Sequence, residues 1–265
     1  MTTLTGRSPR AVASRYMPAA LFFVAFLALW EIVVVVFDIK GFLLPKPSVI
    51  AQAYVADQRV VWEAGWVTLQ EALGGFFIGV IGGGIAAMAT ARWAMLRESA
   101  LPFAIAINSA PIVALAPIFN SWFGSTNPVS KMAVVAVMVF FPVMINMVRG
   151  LTEVQPREIE LLRSYAATPR ELLLKVRFPN SLPYLFNALK VGSALAMIGA
   201  IVAEYFAGPN RALGVYISQK AAGARFAEAW SAVIVGSAMG LALYLIVTLA
   251  ERRAMPRHES RRSRP

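Results

Sequence analysis

Apolar residues in this chain fall into long runs separated by short polar stretches. Pro18 to Phe37 is apolar apart from Glu31, and similar runs cover Leu69–Ala91, Ala100–Phe119, Met132–Val148, Leu185–Phe206 and Phe226–Ala250. Each is close to the ~20 residues that a helix needs to cross a bilayer. The pattern therefore predicts an all-α, polytopic membrane protein with six transmembrane helices.

Punctuation within the runs refines this reading. Between the first two runs, Pro45 and Pro47 precede an amphipathic stretch, Ser48 to about Gln58, which predicts a separate short helix lying at the outer surface. In the second run Gly75, Gly79 and Gly83 form a doubled GxxxG pattern that lets a neighbouring helix come close, and Gly236 and Gly240 repeat the spacing in the last run. The third run carries Pro102, Pro111 and Pro117, so its helix is broken or kinked. Freed carbonyls at membrane depth are tolerated only against protein or a water-filled cavity, which makes Asn108, Ser109 and Pro111 candidates for lining a solute path. Lys190, near the start of the fifth run, is expected to snorkel to the inner surface. Glu204, at that run's outer end, is expected to be ionised, hydrated and part of the same path.

Composition narrows the class. The chain has 265 residues, 58% of them hydrophobic, and a mean hydropathy of +0.63, well outside the range of ordinary soluble domains. Its net charge of +11 does not indicate a nucleic-acid partner, because the basic residues lie between apolar runs rather than on one face of a soluble fold. There is no cysteine and a single histidine, His258, which leaves no thiolate chemistry and no Cys/His metal site. No catalytic constellation and no cofactor site is expected. The apolar run after the N-terminal tail is longer than a signal peptide's and is taken as an uncleaved first span.

Charge then sets the orientation. With both termini inside, 17 Lys and Arg lie in the tails and in the loops after the second and fourth spans, against 7 in the opposite loops. The positive-inside rule places residues 1–17, the loop 149–183 and the basic tail 252–265 in the cytoplasm, flanking a transmembrane domain over 18–251.

One loop stands out from this scaffold. From Glu160 to Tyr184 the chain reads ELLRSYAATPRELLLKVRFPNSLPY, with Arg157, Arg163, Arg170, Lys175 and Arg177 set among leucines. Pro156 and Pro169 suit the first position of a helix, and Thr168 with Glu171 has capping-box spacing, so two short helices should meet near Ala166 and Ala167. Ile159, Leu162 and Tyr165 form a ridge on the first of them.

The same residues resemble the EAA loop of ABC importer permeases: Glu, two alanines, three residues, Gly, nine residues, then apolar-x-Leu-Pro. Glu160 matches the Glu, Leu161 and Leu162 stand for the alanines, Ala166 stands for the glycine, and Val176, Phe178 and Pro179 match the end. An alanine is expected to hold helical or β backbone there, giving a tighter turn than the family's glycine. The segments INSAPIVALAPIFNSWFG and PNSLPYLFNALKVGSALAMIGAIVAEYFAG are similar to the nitrate, sulfonate, taurine and hydroxymethylpyrimidine branch, so the resemblance covers roughly residues 18 to 251. It implies a permease subunit of an ATP-driven, binding-protein-dependent importer in a prokaryotic plasma membrane. Its partners would be a second permease copy, separate ATP-binding subunits and an extracytoplasmic substrate-binding protein. Glu160, Leu162, Arg163, Tyr165, Ala166 and Pro169 would dock the ATPase. No Walker phosphate loop occurs in the chain, so ATP would be bound by the partner. The alternative is a secondary transporter using Glu31, Glu71 or Glu204 as its own coupling carboxylate, which predicts inverted repeats that the sequence does not display.

Overall fold

The computed structural model describes residues 9–93, 102, 104–106, 112–209 and 211–255. Among these the chain is helical, with α1 at Pro9–Val36, α2 at Pro47–Arg92, a 3-10 turn at Ile112–Leu115, α3 at Ala116–Phe123 and α4 at Pro128–Thr152. There follow α5 at Pro156–Ser164, α6 at Pro169–Leu172, a π turn at Leu173–Arg177, α7 at Phe178–Phe206, α8 at Leu213–Ala222 and α9 at Phe226–Ala254. Five helices among the described residues are long and apolar enough to cross a membrane: Met17–Val36, Pro47–Ala91, Pro128–Thr152, Pro169–Phe206 and Phe226–Ala254. The central part of the expected third span, with Asn108, Ser109 and Pro111, lies outside the described residues; its end is the 3-10 turn at Ile112–Leu115 and the start of α3.

Tight backbone approach builds the core. A Cβ on Gly75 would stand 2.6 Å from the Met132 carbonyl, one on Gly79 2.6 Å from that of Ala136, and one on Gly83 2.6 Å from that of Phe140. The doubled GxxxG pattern thus lays α2 directly on α4. Behind it, Val135, Val139 and Val143 of α4 pack with Ala188, Ala196 and Ala200 of α7 and with Val235 and Met239 of α9. Lys190 does not snorkel freely; it pairs with Glu251 at 2.8 Å, tying α7 to α9.

The expected surface helix at Ser48–Gln58 is not a separate element. It is the first part of the 46-residue α2, about 70 Å long at ~1.5 Å per residue. No proline separates Gln58 from Leu69, Gly65 within the helix packs against Met239 of α9, and the buried positions Ile50, Val61, Ala64, Thr68, Ala72 and Phe76 continue one helical stripe through the polar stretch. Hydropathy ended the span where the stripe did not end.

Candidate functional site

The loop between α4 and α7 is held by its base. Gly150 lets Ser181 approach, since a Cβ there would lie 2.6 Å from the Ser181 Cα. Asn180 donates its side-chain amide to the carbonyls of Gly150 at 2.7 Å and Glu153 at 3.1 Å, and the Tyr184 hydroxyl reaches Glu153 at 3.3 Å. These contacts satisfy carbonyls at the open end of α4 and fix where the loop departs.

From that base α5 projects with no buried residue. Glu160 and Arg163 are exposed, while Ile159 and Leu162 are half-buried. Leu161 and Tyr165 stand out at 58% and 75% exposure, large values for apolar and aromatic side chains. The outward apolar surface is therefore carried by Leu161 and Tyr165 more than by the expected ridge through Ile159 and Leu162. The helix ends in a Schellman motif: Ala167 N–H donates to the Leu162 carbonyl at 3.0 Å and Ala166 N–H to that of Arg163 at 2.9 Å. This motif requires a left-handed residue, and Ala166 has φ +52°. The expectation of helical or β backbone at Ala166 is overturned; the alanine adopts the conformation that glycine takes without strain.

Beyond the turn, exposed Pro169 opens α6 and the capping box is complete. Thr168 N–H reaches Glu171 at 3.0 Å, Glu171 N–H reaches the Thr168 hydroxyl at 3.3 Å, and Lys175 pairs with Glu171 at 3.0 Å. The Thr168 N–H first, then Lys175 and the Thr168 hydroxyl, hold the Glu171 carboxyl down to about 2. The box stays charged at any physiological pH.

At the opposite end of the bundle, Glu204 is not a hydrated carboxylate. It is fully buried, and its Oε2 accepts from the Thr68 hydroxyl at 2.9 Å and the Gly214 N–H at 2.8 Å. The Thr68 hydroxyl oxygen in turn accepts from the Leu213 N–H at 3.0 Å. Glu204 and Thr68 therefore satisfy the first two N–H groups of α8 from neighbouring helices. Gly214 is essential to this fit, because a Cβ there would lie 2.2 Å from the Ile201 carbonyl. The outer face of α8 is tied as well: the Tyr216 hydroxyl donates to Asp57 at 2.8 Å, and Lys220 lies between Asp57 and Glu228. Burial, with Asp57 beside it, pushes the Tyr216 phenol up.

Sequence reasoning passed over Thr68, Gly214 and Lys131. Lys131 counted as an outer-loop charge, yet it is fully buried near the start of α4. Its neighbour Pro128 at a helix start was the available signal, since it moves Lys131 into the first turn and onto the packed face. Ser193 is also buried and spends its hydroxyl on the Lys190 carbonyl at 2.7 Å, and the Asn146 amide donates to the Pro142 carbonyl at 2.8 Å, so both bond within their own helices.

Known proteins resemble this arrangement. Residues 79–259 match the family described as binding-protein-dependent transport system inner membrane component. The chain is 32% identical over 184 residues to a riboflavin transport system permease protein of Chloroflexus aurantiacus, covering 69% of this chain and 68% of that one. It is 26% identical to a probable ABC transporter permease protein of Haemophilus influenzae, covering 83% and 89% of the two chains. A formylaminopyrimidine transport permease protein of Halalkalibacterium halodurans is 29% identical, covering 74% and 78%. Among solved structures, an amino acid ABC transporter crystallised with histidines superposes with a TM-score of 0.62 at 17% identity, over 76% of this chain and 97% of that one, which shows a shared fold.

Proposed function

Because this chain belongs to the family of binding-protein-dependent transport system inner membrane components, and is thus a non-catalytic permease subunit of an ABC importer, we propose that α5 and its Schellman turn are the surface on which the importer's ATPase docks. The observation that carries this reading is a nine-residue amphipathic helix with no buried residue that presents Leu161 and Tyr165 to the outside. Exposed aromatic and apolar anchors on a helix held at a fixed base are what a partner's cleft recognises. Glu160, Arg163, Ala166 and Pro169 supply the charged and turn-forming rim, and half-buried Leu162 supports it from beneath.

The remaining parts follow the importer plan. The family implies a separate ATPase and a substrate-binding protein. A chain with a single set of spans would complete a path by pairing with a second copy of itself, with both termini and the α5 loop on the cytoplasmic side of a prokaryotic inner membrane, as the distribution of Lys and Arg favours. Asn108, Ser109 and Pro111 remain the candidates for the solute path. For the solute we favour a small polar nitrogen heterocycle: relatives at 32% and 29% identity carry names for riboflavin and formylaminopyrimidine, against 22–28% for those named for sulfonates, nitrate and taurine.

The docking reading is tested by Leu161→Glu, made in the intact importer. The carboxylate is harmless on a free surface and disruptive in a cleft. The expected result is normal membrane abundance, loss of ATPase co-purification and loss of uptake. Retained ATPase and normal uptake overturn it.

A further inference from the structure

Three ionisable side chains meet where α2, α4 and α7 pack: Glu71, Lys131 and Glu204, each with 1% exposure or less. Glu71 follows Thr68 by one turn of α2, and the Thr68 hydroxyl donates to Glu204 at 2.9 Å, so the two carboxyls face the same α2–α7 contact, with buried Lys131 at the start of α4. Yet Lys131 cannot satisfy either. An ammonium has three N–H donors, and here they go to the Asn120 side-chain oxygen at 3.1 Å, the Ser130 hydroxyl at 3.0 Å and the Ser125 carbonyl.

The acceptors on the other side are in surplus. Glu204 Oε2 is satisfied by Thr68 and by Gly214 at the start of α8, but Glu204 Oε1 and both oxygens of Glu71 have no donor among the described residues. As two carboxylates they would offer each other only lone pairs. They would also leave one negative charge in excess of Lys131 inside an apolar bundle, a far costlier state than a neutral hydrogen-bonded one. A single proton removes both defects. It turns one acceptor into a donor between the two carboxyls, and it balances the charge.

We propose that Glu71 and Glu204 form a proton-binding site in which one proton, carried by Glu71, is donated to Glu204 Oε1. Among the described residues, the charged and titratable groups facing it are Lys131 from α4 and the two glutamates themselves; α8 contributes the Gly214 N–H, and α2 contributes the Thr68 hydroxyl. The proton is structural. It fastens α2 to α7 at the point where Glu204 also holds the N-terminus of α8, so the helices that frame the outer end of the bundle are joined through one carboxyl pair.

The test uses the full-length chain in lipid nanodiscs and two measurements. In the infrared difference between wild type and Glu71→Gln, the wild type should show the carbonyl band of a protonated carboxylic acid that the variant lacks. In thermal melting, Glu71→Gln should keep the wild-type midpoint, because an amide N–H can donate to Glu204 as the acid does, whereas Glu71→Ala should lower it. Absence of the acid band overturns the proposal, as does a Glu71→Gln midpoint as low as that of Glu71→Ala. A wild-type midpoint that falls when sodium and potassium are replaced by choline also overturns it, by assigning the site to a metal cation. If Glu71→Ala does not fold, the infrared band and the choline exchange still decide.

Discussion

The side-chain amide of Asn180 bonds the Gly150 carbonyl at 2.7 Å across thirty residues of chain, closing the loop that carries α5 at its base. A second bond from the same nitrogen reaches Glu153 at 3.1 Å. Asn180→Ala strands both carbonyls at a helix end, at a cost of about 1–3 kcal/mol where they are shielded from water. The expected outcome is faster tryptic cleavage within residues 157–177, together with weaker ATPase co-purification, at unchanged membrane abundance.

Ala166 occupies left-handed backbone, a conformation about 1–2 kcal/mol above right-handed for an L-residue. Ala166→Gly removes that strain while adding unfolded-state freedom worth about 0.4–1 kcal/mol, so it should leave the turn as stable or slightly more stable. Ala166→Val, β-branched at positive φ, should unravel the Schellman motif. Comparing ATPase affinity of the two variants checks this, with Gly at or above wild type and Val well below it.

Thr68 holds α8 from α2 by accepting from Leu213 N–H and donating to Glu204. Thr68→Val keeps the shape but leaves a buried N–H and a carboxylate oxygen each short of a partner, which costs about 1–3 kcal/mol per group. Thermal melting in detergent should fall, with little change in the concentration dependence of uptake by the surviving protein. A shifted half-saturation concentration at normal stability would instead place Thr68 and Glu204 on the solute path.

Gly79 has the Ala136 carbonyl 2.6 Å from where its Cβ would be. Backbone cannot give way as a flexible side chain can, so Gly79→Ala should cost about 1–3 kcal/mol through separation of α2 from α4. Membrane abundance and melting temperature report it. Gly84→Ala serves as the control, since its nearest neighbour, the Met147 sulfur, lies 3.8 Å away.

The absence of cysteine permits a direct test of sidedness. Single cysteines at Ser125 and Ser164, both exposed, can be labelled with a membrane-impermeant thiol reagent in intact cells. Ser125→Cys should react at once and Ser164→Cys only after permeabilisation. Labelling of Ser164→Cys from outside would invert the orientation and remove α5 from the ATPase's side.

The sequence by itself determined the helical membrane architecture, the close packing of α2 on α4 and the position of the exposed loop that carries α5. Each of these is written in local pattern: runs of apolar residues long enough to span, glycines four apart, and a capping box with prolines at two helix starts. Such signals act over a few turns of chain, so no tertiary knowledge is needed to read them. The same local view cut Ser48–Gln58 off from the rest of α2, because hydropathy averages over all faces while packing uses one stripe. It also assigned Glu204 and Lys131 to water, since both sit at the ends of apolar runs. Only the tertiary structure brought Thr68, Glu71, Lys131, Glu204 and Gly214 together from four helices and buried them. Their hydrogen bonds span up to 145 residues of sequence between Thr68 and Leu213. A carboxylate's role depends on which donors surround it, and those donors are set by how the helices cross, not by their order along the chain.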